Sequence, residues 1–266
     1  MKKKEKYTYD DLLEIMRILR SENGCPWDRK QTHESILPNL LEETFEVIDA
    51  VKKNNKNALK EELGDLLLQI VFHARMAEED NLFSMEEVID GICKKLILRH
   101  PHIFGDVIVH TAEEVLENWE QIKKVEKGYH TQTEVLKSVP EVFPALMRAY
   151  KVQKKAAEIG FDWDNIEDVI KKVEEEKNEL LEALKEGNNS KIVEEYGDFL
   201  FSIVNFARFL KINPEFALTN TTEKFINKFE YVENTAISQG KKLEEMTLKE
   251  MDELWEESKR KEIEKS

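Results

Sequence analysis

The sequence predicts an all-α protein that contains two copies of one helical unit. The chain of 266 residues has only 9 glycines and 6 prolines, too few turn residues for a sandwich or barrel of many short strands. A fifteen-residue segment, EELGDLLLQIVFHAR at 61–75, returns as EEYGDFLFSIVNFAR at 194–208 with nine of its fifteen positions identical. Few turns and a long internal repeat together predict tandem all-α domains.

The repeat extends well beyond this segment. EETFE at 42–46 returns at the same spacing as EEKNE at 175–179, whereas GCPWD at 24–28 returns at a slightly longer spacing as GFDWD at 160–164. Trp119 and Trp255 share that longer spacing, and a small loop insertion accounts for the difference. We therefore predict an N-terminal domain at 1–130 and a C-terminal domain at 131–266, each of ordinary domain size.

Apolar residues at helical spacing predict ten helices in chain order. Five lie in the first copy, at 9–22, 36–54, 57–80, 84–99 and 112–127. Glycine and proline residues interrupt the pattern between 128 and 144, and five further helices follow at 144–159, 166–186, 190–211, 214–239 and 247–264. The only short strand candidate is VIVH at 107–110.

Composition argues against several classes of partner. The chain has 55 acidic and 40 basic residues and a net charge of -15, which disfavours binding to nucleic-acid polymers or to anionic membranes. Its longest apolar run is too short to span a bilayer, and its N-terminus lacks the apolar stretch of a signal peptide. Cys25 and Cys93 are too few for a disulfide framework, so we expect a cytoplasmic protein with reduced thiols.

Glutamates recur at the edges of the predicted core. On the helix at 36–54, Glu43 falls inside the apolar arc and Glu46 just beyond it. On the next helix, Glu62 and Asp65 lie three residues apart at the edge of the apolar face. Ionised carboxylates in such positions are costly unless they are paired or bound to metal.

Each copy thus offers EExxE on one helix and ExxD on the next. Two antiparallel helices would bring these carboxylates face to face, and four hard oxygen ligands suit Mg²⁺, with Mn²⁺ as a substitute. The predicted metal ligands are Glu43, Glu46, Glu62 and Asp65 in the first copy, and Glu176, Glu179, Glu195 and Asp198 in the second. The alternative is a solvated acidic helix face, which repetition at fixed spacing disfavours.

Other metal sites lack their signatures. No histidine follows a glutamate by three residues, as a di-iron bundle requires, and no cysteine and histidine cluster suits zinc.

Basic residues could hold a phosphorylated ligand beside such a metal. Lys224 and Lys228 share one helix face in the second copy, with Lys95 and Arg99 at the corresponding place in the first. Lys191 lies one turn before Glu195, where the first copy has an alanine. Each of these residues could equally be a solvated surface charge. We expect the four tryptophans to be anchors in the core or at an interface, and Trp255 could also flank a base.

EExxE followed by ExxD, in duplicate and with GCPWD near the start, resembles the MazG family of nucleoside triphosphate pyrophosphohydrolases. LLEETFEVIDA at 40–50, RHPHIFGD at 99–106 and KAAEIGFDWD at 155–164 match as well. The resemblance implies a homodimer whose subunits complete four-helix bundles, and Mg²⁺-dependent cleavage of nucleoside triphosphates to monophosphate and pyrophosphate.

The same resemblance implies roles for individual residues. It puts metal on Glu176, Glu179, Glu195 and Asp198, with Glu175 nearby. Glu175 or a metal-bound hydroxide could be the catalytic base. Nucleotide contacts would map to Lys191, Lys224, Lys228 and Trp255. The first copy is expected to be weak, differently specific or architectural.

One residue departs from the family pattern, because Lys228 stands where the family commonly has arginine. The charge is kept, but bidentate phosphate binding is lost. A catalytically silent helical module that binds nucleotide or a protein partner is the alternative function. Eight retained carboxylates favour the enzyme, and the base preference stays open.

Overall fold

A computed structural model describes residues 3–263, without the side chains of Glu117, Glu262 and Ile263. The described residues form helices and no strand, so the all-α prediction is confirmed. The α-helices are α1 Tyr9–Leu19, α2 Pro26–Lys30, α3 Leu37–Lys52, α4 Lys56–Glu79, α5 Met85–Arg99, α6 Pro101–Phe104, α7 Ala112–Lys127, α8 Gln132–Lys137, α9 Ala145–Ala157, α10 Ile166–Glu186, α11 Asn189–Phe209, α12 Pro214–Ser238 and α13 Leu248–Ile263.

All ten predicted helices are present, and the differences lie in short elements. The sequence reading missed α2, α6, α8 and a 3₁₀ turn at Leu243–Glu245, because pieces of one or two turns are shorter than a periodicity window. Residues 107–110 are irregular and not a strand. No helix among the described residues is long and apolar enough to cross a membrane.

The contacts divide the chain into two units, Met1–Glu126 and Lys127–Ser266. The predicted boundary at 130 lies slightly further along the chain. In unit 1 the most extensive packing is between α3 and α4, and in unit 2 it is between α10 and α11. Each pair is joined by two or three residues, so each pair is an antiparallel hairpin.

Both hairpins turn by the same device. Asn54 and Gly187 adopt left-handed backbone angles, with φ of 51° and 71°. The next residue in each case is an asparagine, and its side chain accepts hydrogen bonds from the first turn of the following helix. Asn55 caps α4 and Asn188 caps α11 in this way. A left-handed residue followed by an N-cap ends one helix and starts the next at once.

An apolar core and Arg20, whose side chain is 7% exposed, hold unit 1 together. Met16, Ile36, Val71, Phe72 and Met76 form the buried cluster. The Arg20 guanidinium lies over the Phe72 ring, 5.3 Å from its centroid, and donates to the backbone oxygens of Asp28 and Gln31.

Arg20 also pairs with Glu79, with Nη2 2.8 Å from Oε2. Burial alone would raise the pKa of Glu79, but hydrogen bonds from Arg20 and Arg75 outweigh it and hold that pKa below its usual value. Arg20 therefore fastens the α2 segment to α1 and α4.

Gly24 lies in a turn where two parts of the backbone approach each other closely. Its N–H donates to the Ser21 oxygen, and the following N–H reaches back to the Leu19 oxygen at 2.7 Å. A Cβ on Gly24 would lie 2.2 Å from the Leu19 oxygen and 2.4 Å from the Ile18 oxygen. Both obstacles are backbone atoms, so a side chain requires the turn itself to move.

We predict that Gly24→Ala lowers the free energy of unfolding of unit 1 by more than about 2 kcal/mol, because the added Cβ overlaps backbone oxygen atoms. Gly91→Ala is the matched control, because Gly91 lies inside α5 with nothing near its Cβ position. The control should be neutral or stabilising by up to about 1 kcal/mol. Urea unfolding of both variants measures this, and equal stabilities would contradict the predicted steric overlap.

Candidate functional site

Three glutamates meet across the hairpin of unit 2. Glu176 and Glu179 lie on α10, Glu195 lies on α11, and one carboxylate oxygen from each lies within 4.8 Å of the others. Glu176 is buried, with 7% of its surface exposed. The hairpin turn thus brings together three of the four ligands predicted for this copy.

These carboxylates disturb one another electrostatically. Partial burial raises the pKa of Glu179 above its ordinary value, and the nearby charges of Glu176 and Glu195 raise it further. Both effects disfavour the ionised form, so the cluster attracts protons or cations. The geometry fits a divalent ion that prefers carboxylate oxygen.

Lys172 supplies positive charge to this cluster. Its Nζ lies 2.7 Å from Glu176 Oε1 and 2.8 Å from Glu175 Oε1, and these hydrogen bonds raise the pKa of the lysine. Sequence reasoning missed Lys172, although it precedes Glu176 by one turn and its counterpart in the first copy is Asn39. The ammonium group therefore neutralises part of the charge of Glu176, at one side of the triad.

Asp198, the fourth predicted ligand, is close but not part of the triad. It lines a cleft of about 580 Å³ together with Lys172 and Glu176. Glu175 is exposed and is held by Lys172. The cleft therefore opens beside the carboxylate cluster.

Unit 1 contains an equivalent cluster with a different third member. Oxygens of Glu43, Glu62 and Asp65 lie within 4.8 Å of one another. Burial raises the pKa of Glu43, and the charge of Asp65 adds to the effect. Burial also raises the pKa of Glu62, with further contributions that include the charge of Glu46 and a hydrogen bond with it. The triad thus includes three of the four carboxylates predicted for the first copy, and the fourth, Glu46, interacts with Glu43 and Glu62.

The predicted phosphate-binding residues lie in varied surroundings. Lys191 Nζ is 3.1 Å from Glu186 Oε2, on the exposed side of the hairpin turn. This hydrogen bond raises the pKa of Lys191, and the charge of Glu195 adds a smaller contribution. Lys224 is exposed and Lys95 is half-buried. No ion pair among the described residues joins these three lysines directly to the carboxylate clusters.

Each unit contains its own cation–aromatic pair. Lys228 Nζ lies 5.9 Å from the centroid of Trp255, and the Arg99 guanidinium lies 5.5 Å from that of Trp119. This agreement supports the correspondence between Lys228 and Arg99. Arg99 is buried and also donates twice to Glu126, at 2.7 and 2.9 Å, so its guanidinium is already engaged within unit 1.

Comparisons with known proteins agree with this duplicated architecture. The sequence profile of the MazG nucleotide pyrophosphohydrolase domain matches residues 31–104 and 164–236. These two stretches contain both hairpins and all eight predicted metal ligands. Together they cover just over half of the chain.

Full-length relatives are similar throughout. A Thermotoga maritima protein named nucleoside triphosphate pyrophosphohydrolase/pyrophosphatase MazG is 45% identical over 94% of this chain and 95% of its own. An Escherichia coli protein named nucleoside triphosphate pyrophosphohydrolase is 44% identical over 96% of this chain and 98% of its own. A solved structure of a MazG-related protein from Thermotoga maritima is 36% identical and covers 43% of this chain and 98% of its own, with a TM-score of 0.38.

The matched profile occurs twice, once over each carboxylate hairpin, and the relatives align from end to end. The chain therefore belongs to the MazG family of nucleotide pyrophosphohydrolases.

Proposed function

We propose that the chain hydrolyses nucleoside triphosphates, ribo- or deoxyribo-, to the monophosphate and pyrophosphate, with Mg²⁺ as cofactor and unit 2 as the main site. The observation that carries the proposal is the triad of Glu176, Glu179 and Glu195 with an ammonium group already drawn to its edge. Carboxylate oxygens grouped in this way suit a hard divalent cation, which in turn prefers phosphate oxygens as its remaining ligands. The names of the two full-length relatives support the same reaction class.

The residues present fit a hard divalent ion. Glu176, Glu179, Glu195 and Asp198 would hold Mg²⁺, or Mn²⁺ in its place, through oxygen atoms alone. When bound, such an ion neutralises charge on phosphoryl oxygens and lowers the pKa of water beside it. In unit 1 the corresponding group is Glu43, Glu46, Glu62 and Asp65.

The protein's own groups would position the substrate and move the proton. Lys172 would release Glu176 and turn towards the triphosphate, which keeps the local charge balanced. Glu175, exposed beside it, would accept a proton from the attacking water. Lys191, Lys224 and Lys228 would neutralise outer phosphate oxygens, with Trp255 packed against Lys228.

We also propose a homodimer. The hairpin of unit 2 exposes large apolar side chains on both helices, among them Leu181, Leu184, Tyr196 and Ile203. A second copy related by two-fold symmetry would cover these faces and complete a bundle of four helices.

Light scattering tests the dimer directly. We expect twice the 31.3 kDa mass of one chain at micromolar concentration, and Leu184→Glu should shift the mass towards the monomer because it buries a charge in the interface. Leu248→Glu, on another exposed leucine at the start of α13, is the control and should not. A wild-type protein that stays at the mass of one chain would contradict the proposal.

Product analysis tests the reaction. Incubation with ATP, GTP, CTP, UTP or their deoxy forms and Mg²⁺ should yield the monophosphate and pyrophosphate. The reason is that the proposed metal site would bind the triphosphate and leave its α-phosphorus open to attack by water. Chromatography separates these products from nucleoside diphosphate and orthophosphate. Nucleoside diphosphate and orthophosphate as the first products would refute the assigned bond, and no turnover would favour a silent binding module.

Two matched substitutions assign the reaction to a unit. Asp198→Asn should lower kcat/KM on the order of a hundredfold or more, because it removes charge from the reacting site. Asp65→Asn, the same change in unit 1, should cost far less. Circular dichroism should stay helical in both variants. A severe Asp65→Asn with a mild Asp198→Asn would assign the main activity to unit 1.

A further inference from the structure

The two units have similar carboxylate clusters but differ beside them, where unit 2 contains a cleft. The cleft of unit 2 runs from the carboxylates to the loop at 160–163, between α9 and α11. Its volume of about 580 Å³ falls in the range of small-molecule pockets.

Unit 1 has larger side chains at two of the positions that correspond to this cleft. At the shorter spacing of the repeat, Asn205 of unit 2 corresponds to Phe72, and at the longer spacing, which the GCPWD and GFDWD segments share, Ala156 corresponds to Arg20. Phe72 is buried in the core cluster of unit 1. Arg20 stacks over its ring and ties residues 28 and 31 down through their backbone oxygens. In unit 2 the two smaller residues line the cleft instead.

Two amide side chains in the wall of the cleft have hydrogen-bonding capacity left over. Gln153 is 7% exposed, and its Nε2 donates to the Phe201 oxygen at 2.8 Å. Its Oε1 is buried and has no partner among the described residues. A buried acceptor without a donor is costly unless a ligand supplies one.

Asn205 is oriented by a neighbouring arginine. Arg208 Nε donates to Asn205 Oδ1 at 2.9 Å, and its Nη1 donates to Asp162 Oδ2 at 2.9 Å. Arg208 therefore fixes the loop at 160–163 and the Asn205 amide together. With Oδ1 engaged, Nδ2 is the donor that remains, and no hydrogen bond from it to a described residue is present.

Aromatic groups stand at the rim of the same cleft. Phe161 and Trp163 line it and are exposed. Flat aromatic faces stack on nucleobases whatever the base, whereas amide groups distinguish the hydrogen-bonding edges. The cleft thus combines a stacking platform, one donor and one acceptor, next to the carboxylates.

We propose that this cleft binds the nucleobase of the substrate, and that Gln153 and Asn205 read its hydrogen-bonding edge. The proposal rests on the proposed triphosphate hydrolysis, since the carboxylate end of the cleft would hold the phosphates. At the corresponding positions unit 1 has Phe72, which packs in its core, and Arg20, which lies over the Phe72 ring. Base selection therefore belongs to unit 2.

The test transfers the filling side chain from unit 1 to unit 2. We would measure kcat/KM for ATP, GTP, CTP and UTP with wild type, Asn205→Phe and Gln153→Leu. Asn205→Phe should raise KM for the best substrate at least about tenfold by filling the pocket, and both variants should bring the rates for the four bases closer together. Thermal melts with and without Mg²⁺ check that the carboxylate cluster is unaffected.

Further variants keep the test decisive. If Asn205→Phe does not fold, Ala156→Leu fills the cleft from the opposite wall and should act alike. Trp255→Ala addresses the other candidate for base stacking. The ratios of kcat/KM among the four triphosphates decide the outcome. The proposal is overturned if these ratios stay within twofold of the wild-type ratios in the cleft variants. It is also overturned if they approach one another only in Trp255→Ala.

Failure of the proposed function would be visible separately. It would appear as wild-type protein that releases no pyrophosphate from any triphosphate. Titration calorimetry with AMP, GMP, CMP and UMP would then test the cleft alone. A monophosphate that binds wild type and not Asn205→Phe would still support the cleft, and equal binding to both would overturn it.

Discussion

Like-charged carboxylates held together at the edge of a helical hairpin are the constraint around which each unit is arranged. Oxygens of Glu176, Glu179 and Glu195 approach within 4.8 Å of one another, and the raised pKa of Glu179 records the cost of holding it ionised there. Packing of α10 on α11 offsets that cost, and Lys172 partly neutralises the cluster from one turn away. A divalent cation would relieve the repulsion more completely, because it brings two charges to a site built of oxygen atoms.

The same kind of hairpin turn brings the carboxylates together in both units. A left-handed residue followed by an asparagine cap, at Asn54 and Asn55 and again at Gly187 and Asn188, reverses the chain within a few residues. The reversal puts EExxE opposite ExxD in both units. Beyond the hairpins the units differ, because unit 1 has Arg20 stacked over Phe72 where unit 2 has Ala156 and Asn205, which line the cleft.

The sequence predicted the features of the fold that depend on helical periodicity. The ten long helices and the meeting of the carboxylates follow from helical spacing and from one internal repeat. The shortest helices were missed because so short a pattern carries no period. Lys172 was missed because a lysine on an acidic helix ordinarily indicates a surface pair. The pairing of Arg99 with Glu126 joins residues far apart in the chain, and only tertiary structure brings them together. The cleft was readable in principle, since the repeat aligns Phe72 with Asn205, but its emptiness depends on packing.

The most direct test of the account is the melting temperature of metal-free protein with and without Mg²⁺, measured between pH 5 and pH 8. The pKa of Glu179 is raised above 4.5, so its native form binds protons more tightly than its unfolded form, and its contribution to stability falls as pH rises through the raised value. The rise in melting temperature on adding Mg²⁺ should therefore be large at pH 8 and shrink towards pH 5, as protons replace the ion. Glu179→Gln should reduce the rise, whereas Glu182→Gln, on an exposed glutamate of the same helix, should keep it. Two results would contradict the claim that these carboxylates form a cation site. One is a melting temperature that does not change with Mg²⁺ at any pH, and the other is an equal rise in melting temperature in the two variants.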